Sequence, residues 1–174
     1  MKSIAYSIIK FYRKIPGYIW SKVFKYQCKS TGKHVGISSF CPISSAAQVF
    51  VGDYFHSNGI RVMGVGKLII GKHFHSGQNC KIMLGSHDYD HGEAIPYGTK
   101  FTYKSIVIGD FVWLGTDVTL CGNINIGNGV IIAIGSVVVK DVPDYAIVGG
   151  NPAKIIGYRD IEHFNQLLHD NKFN

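Results

Sequence analysis

A chain of 174 residues that is 46% hydrophobic and 17% charged is long enough to bury one core, and its length argues for a single domain. It has no run of about eighteen apolar residues of the kind a membrane-spanning helix needs, and its cysteines (Cys28, Cys41, Cys80 and Cys121) show neither CxxC spacing nor a disulfide framework, so reduced, mostly buried thiols are expected. The net charge of +7 comes without any DNA- or RNA-reading motif, so a nucleic-acid partner is not expected.

That charge sits at the start of the chain. Residues 1–33 hold eight Lys or Arg and no acid, whereas the other 141 residues hold ten basic and eleven acidic groups. Aromatic and aliphatic residues interleave with the cations in "SIIKFYRKIPGYIWSKVFKY", and Pro16-Gly17 divides the stretch in two. Two readings are open: amphipathic helices lying on an anionic membrane surface, or a solvated basic face packed on the core. The opening "MKSIAYSIIKFYRK" lacks both the long apolar stretch and the small-residue cleavage site of a secretion signal. A cytoplasmic location is therefore expected, with peripheral contact at the inner face of the plasma membrane as the extension the basic segment suggests. No repeat is visible in residues 1–34, which are expected to form a helical or irregular cap.

A period of six begins beyond residue 35. It is loose in "VGDYFH" from Val51, slips by one residue across "SNGIRVMGVGKLI", and returns in "IGKHFH-SGQNCK-IMLGSH" from Ile70. Residues 88–104 interrupt it and should loop out. From Ile108 six hexapeptides follow without insertion: IGDFVW, LGTDVT, LCGNIN, IGNGVI, IAIGSV and VVKDVP. The first position is always aliphatic, the second is small in all but one, and the fifth is small or β-branched. Such a period fits neither a helix nor a long alternating strand. It fits short strands that turn through a third of a circle, so that three hexapeptides close a triangular coil with aliphatic side chains stacked inside. Asp117, Gly122-Asn123 and Asn128-Gly129 supply residue types that tolerate positive φ at corners. Pro143 is expected to end the last full coil, "GGNP" turns the chain, and "KIIGY" leads to a short helix over residues 160–174, with Asp160 as N-cap and Ile161, Phe164, Leu167 and Leu168 on one face.

The run "IGDFVWLGTDVTLCGNINIGNGVIIAIGSVVVKDVPDYAIVGGNPAKIIGYR" resembles the closing coils of the hexapeptide O-acetyltransferases of the galactoside, maltose, streptogramin and lipopolysaccharide type. "GKHFHSGQNCKIMLGSHDYD" resembles the coil that delivers their catalytic histidine. The likeness covers about residues 70–159. It implies an all-β, left-handed parallel β-helix over residues 35–159, a homotrimer with active sites between subunits, and transfer of an acetyl group from acetyl-CoA to a saccharide hydroxyl, with no metal. The resemblance leaves galactoside, maltose, lipopolysaccharide and antibiotic acceptors open, and the basic, aromatic N-terminus favours one held near the inner membrane, a surface-polysaccharide or lipopolysaccharide precursor.

His87 matches the position of the family's general base, which is the role an imidazole suits best near neutral pH. Asp88, Asp90, His91 and Glu93 are the candidate acceptor contacts, and each of the acids could instead orient the imidazole. On the coenzyme side, Gly115, Ala133, Gly135 and Ser136 suit the wall of a pantetheine groove, Trp113 resembles a groove tryptophan, and Lys140, Lys154 and Arg159 are candidate phosphate partners. Gly157 stands where some relatives carry a second arginine. Three alternatives stand beside this reading: an N-acetyltransferase on an amino sugar, a γ-carbonic-anhydrase-like zinc enzyme drawing on His56, His73, His75, His87 and His91, and a non-catalytic repeat scaffold.

Overall fold

The computed structural model describes residues 16–173, and the basic residues before Pro16 lie outside them. From Gly36 onward the chain winds into a parallel β-helix of three sheets. The first sheet contains Ala47–Val51, Gly66–Ile70, Phe101–Ile108 and Ile124–Ile126. The second contains His56–Ser57, His75–Ser76, Trp113–Leu114 and Ile131–Ile132. The third contains Ile60–Met63, Cys80–Met83, Thr119–Cys121 and Val137–Val138.

The period of six is a burial pattern. First-position residues Ile108, Leu114, Leu120, Ile126, Ile132 and Val138 and fifth-position residues Val112, Val118, Ile124, Val130, Ser136 and Val142 all point into the prism and are buried. Ile106 and Ile108 lie beside Ile124 and Ile126, so identical positions stack and bury what one strand alone would leave in water. The second and third positions are explained by the corners. Asp110 Oδ1 accepts from Lys72 N–H (2.9 Å), Asn128 Oδ1 from Asp110 N–H (2.9 Å) and Asp144 Oδ1 from Asn128 N–H (2.8 Å). Each bond ties one coil to the next. A Cβ on Gly109 would stand 2.7 Å from Asn128 Oδ1, so the glycine clears the way for that side chain.

The corner between the first and second sheets is unlike the expectation. His34, Tyr54, His73, Phe111 and Tyr145 all adopt φ between 54° and 62° there. An L-residue loses roughly 1–2 kcal/mol in this conformation, and stacking offsets it. The His34–Tyr54, Tyr54–His73 and His73–Phe111 rings lie 4.7, 4.6 and 4.7 Å apart. Asp117, Gly122 and Gly129 do take positive φ as expected.

The slip between the upstream repeats has two parts. Ile60 pairs with Cys80 and Val62 with Ile82, which leaves the corner after Ser57 one residue short, and extra residues between Val62 and Leu68 restore the register. The hexapeptide "IMLGSH" is corrected: the coil leaves off after buried Leu84, and Gly85–His87 pairs antiparallel with Phe101–Tyr103. The interruption is a hairpin-based arm, and the strand Phe101–Ile108 runs from it straight back into the first sheet.

Helix α1 (Gly17–Gln27) closes the open end of the prism. Phe24 is buried and stacks on Phe55, which stacks on Phe74, with 5.1 Å between centroids each time. Ser21 Oγ accepts from Ile37 N–H (3.0 Å) and Gln27 Oε1 from Ile43 N–H (3.0 Å), so the helix satisfies amides that an unpaired coil edge would expose. At the other end Ala153–Tyr158 folds back antiparallel on Ala146–Gly150 and leads into α2 (Ile161–His169). The Asp160 side chain caps α2 by accepting from His163 N–H (2.9 Å). Gly129 leaves a gap in the aromatic corner that Phe164 of α2 fills, packing edge-on against Phe111 (5.8 Å) and Tyr145 (5.2 Å). All four cysteines are free thiols.

Candidate active site

His87 stands at the base of the arm, where the chain leaves the prism between the third and first sheets. Its ring is clamped between Tyr97 (4.0 Å between centroids) and Phe101 (4.1 Å). Nδ1 lies 3.3 Å from the Gly98 carbonyl; with the proton on Nδ1 and donated there, the Nε2 lone pair is left for a substrate. The aromatics that fix the imidazole come from "YGTKF", within the segment expected to loop out, and the only sequence signal for them is the spacing of two aromatics around a glycine.

The arm holds its shape with few buried side chains. Asp88 Oδ1 accepts from His91 N–H (2.9 Å), Gly98 N–H donates to the Asp88 carbonyl (2.8 Å), and Asp88 N–H donates to the Lys100 carbonyl (3.0 Å). Glu93 Oε1 accepts from Thr99 N–H (2.8 Å) and Thr99 Oγ1–H (2.5 Å). Those hydroxyl and amide hydrogen bonds hold the Glu93 carboxyl down at about 2. The carboxylates of Asp88 and Glu93 are thus engaged within the arm, while Asp90 and the His91 side chain are exposed. Tyr89, Ile95, Tyr97, Phe101 and Tyr103 are exposed as well, Ile95 at 97%.

The coenzyme-side candidates divide. Gly115, Ala133 and Gly135 share the corner between the second and third sheets: Ile134 N lies where a Gly115 Cβ would come within 2.7 Å, and a Cβ on Gly135 would meet nothing within 4 Å. Lys154, exposed, pairs with Gly149 beside that corner. Trp113 is half-exposed on the adjoining second sheet, next to His75 and Ile131. Lys140 lies at the other end of the third sheet, exposed. Ser136 is corrected: it is fully buried, and its hydroxyl donates to the Ala133 carbonyl (2.6 Å) and accepts from Gly150 N–H (3.3 Å), so it faces the core and cannot line a groove. Arg159 is largely a fastening for α2. Its Nε–H donates to the Gly129 carbonyl (2.5 Å) and its guanidinium lies 5.4 Å from the Phe164 ring, with burial lowering its pKa.

Arg159 also borders a cavity of about 450 Å³ between α2 and the second sheet, walled by His73, Phe111, Trp113, Phe164 and Phe173, which the repeats gave no hint of. The histidines of the zinc alternative are spread over three places: His56 and His75 lie 4.6 Å apart, ring tilted to ring, on the second sheet, His73 lies in the aromatic corner, and His87 and His91 are on the arm. Among the described residues no three metal-ligating side chains converge. Burial, then neighbouring His56, lowers the His75 pKa.

The chain is a prism of hexapeptide coils with one histidine-bearing arm. No family model matches the chain. It is 31% identical over 131 residues to the Escherichia coli K12 acetyltransferase WcaF, named for colanic acid biosynthesis, covering 74% of this chain and 68% of that one. It is 34% identical over 110 residues to WbbJ of the same organism, named a lipopolysaccharide biosynthesis O-acetyl transferase, covering 62% of this chain and 56% of WbbJ. The chain thus spans between half and about two thirds of the length of these curated relatives. A solved galactoside acetyltransferase in complex with coenzyme A shares the fold, with a TM-score of 0.75 at 22% identity over 89% of this chain and 78% of that one. The chain belongs to the hexapeptide-repeat acetyltransferases, and its coil is their left-handed parallel β-helix.

Proposed function

We propose that the protein transfers an acetyl group from acetyl-CoA to a hydroxyl of a saccharide precursor of a surface polysaccharide or lipopolysaccharide, with His87 as general base. The observation that carries the reading is the clamped imidazole, held by two rings and the Gly98 carbonyl with Nε2 unengaged. Nε2 takes the hydroxyl proton as the acceptor oxygen forms its bond to the thioester carbonyl carbon. The tetrahedral oxyanion then collapses, the carbon–sulfur bond breaks, and the imidazolium returns the proton to the departing thiolate. The saccharide acceptor draws support from the names of WcaF and WbbJ.

The site is completed by a second protomer. In one chain the arm leaves between the third and first sheets, while Trp113, Gly115, Ala133, Gly135 and Lys154 line the second sheet and the corner beyond it. These lie on different sides of one prism, so the arm of one subunit serves the coenzyme wall of the next in a homotrimer. The exposed aromatics of the arm, with half-exposed Trp113 and Ile134 at 72%, are surface that such an assembly would cover. Replacing His87 by Ala is expected to lower turnover about a hundred- to ten-thousandfold while acetyl-CoA affinity, measured by calorimetry, stays close to wild type. Retention of most turnover would overturn the assignment and turn attention to His91.

A further inference from the structure

We propose that the N-terminal end of the prism is a docking surface for an anionic lipid bilayer, an inference that needs only the fold and not the catalytic reading. Helix α1 is amphipathic in an uncommon sense. Trp20, Val23, Phe24 and Gln27 face the first coil, and Phe24 and Gln27 are fixed there by stacking and by the bond to Ile43. The opposite face carries Tyr18, Lys22, Lys25 and Tyr26, spaced at three- and four-residue intervals so that they form one stripe. All four are exposed, Tyr26 at 93% and Tyr18 at 63%, and Lys22 lies over the Tyr18 ring at 5.9 Å. Lys29 and Lys33 extend the exposed cationic patch past the helix end.

Among the described residues no acid pairs with the lysines of this face, Lys22, Lys25, Lys29 and Lys33. The first turn of α1 has no acid, and Asp53 reaches the segment through the Lys33 backbone N–H (2.7 Å). One of the two readings left open by the sequence is met by the face packed on the core, and the opposite face carries the residues the other would use. Cations alone would suit any polyanion. The tyrosines, with exposed Ile19 and Phe40, add the aromatic and aliphatic side chains that insert at the headgroup boundary, and the charge of the preceding residues has the same sign. In the trimer proposed above, three such caps lie at one end of parallel prisms and would meet one bilayer together.

The test is flotation of the full chain with phosphatidylcholine vesicles, with and without phosphatidylglycerol. Binding is expected only when the anionic lipid is present and is expected to disappear in molar salt, where charge is screened within a few ångströms. Lys22→Gln, Lys25→Gln and Lys29→Gln combined should weaken vesicle binding about a hundredfold, at roughly fivefold per lysine near such a surface. Acetyl-CoA affinity and the melting temperature should be unchanged, which separates this result from a folding or catalytic failure. Equal binding to neutral vesicles, no binding by the intact chain, undiminished binding by the triple variant, or preference for duplex oligonucleotide over anionic vesicles in competition would each overturn the proposal.

Discussion

The coils and the arm are built on opposite rules. Between Ile108 and Val142 every first and fifth position of the repeat is buried, and corner side chains tie each coil to the next. The arm buries almost nothing between Asp88 and Lys100 apart from Gly98. It is held by local hydrogen bonds from Asp88 and Glu93 and by the rings around His87. The prism therefore supplies rigidity, and the arm presents an imidazole that is fixed yet open to solvent on one side. Stability and activity should be separable by region, and substitutions in the two can test that separation.

The largest stability effect is expected in the coils. Leu114→Ala removes a fully buried side chain and should destabilise the fold by about 2–5 kcal/mol, read by chemical denaturation, with turnover per folded protein little changed. Next comes the junction with α2. Gly129 has φ of 66°, and a Cβ there would lie 2.9 Å from the Tyr145 ring and 3.4 Å from Phe164. Gly129→Ala should cost roughly 1–2 kcal/mol from backbone strain alone and free α2 to proteolysis, whereas intact α2 would show that the aromatic corner yields easily. In the arm, Glu93→Gln weakens the hold on Thr99. It should reduce turnover several-fold, in line with about 1 kcal/mol for such a bond, and leave the melting temperature where it was. A fall in stability without a fall in turnover would reverse the comparison.

A pH effect is expected at the aromatic corner. Burial first, and Lys72 second, lower the His73 pKa, so the unfolded chain binds a proton there before the folded chain does. The stabilisation is full above the ordinary histidine value and is lost as pH falls below it towards the depressed folded value. His73→Phe keeps the stack, as Phe111 shows at the same corner with the same sign of φ. It should raise the melting temperature at pH 5 relative to wild type and leave it nearly unchanged at pH 8; an equal shift at both would point to packing alone.

The same contrast explains what could be read in advance. The repeats from Ile108 gave the coil and its inward positions, because stacking demands the same residue types at every turn, but not its end: past Pro143, Ala146–Gly150 adds a further parallel strand beside Ile131–Ile132. The cap of α2 was legible in Asp160 for the same local reason. The clamp on His87 was not, because Tyr97, Gly98 and Phe101 meet it only through an antiparallel pairing that no period announces. Ser136 was misplaced because a small residue at a corner looks alike whether it faces a groove or the core; its fifth position in the repeat was the better guide. The aromatic corner was hidden because His73 and Phe111 are poor choices for positive φ individually and become tolerable only in a column.

The central claim is that His87 of one protomer works on the coenzyme wall of its neighbour. His87→Ala and Trp113→Ala chains, each impaired alone, can be unfolded together and refolded into mixed trimers, and turnover per subunit compared with the two parents. Sites shared between subunits predict recovery well above the average of the parents, because some interfaces then pair an intact arm with an intact wall. Activity equal to that average would contradict the account and place the whole site within one chain.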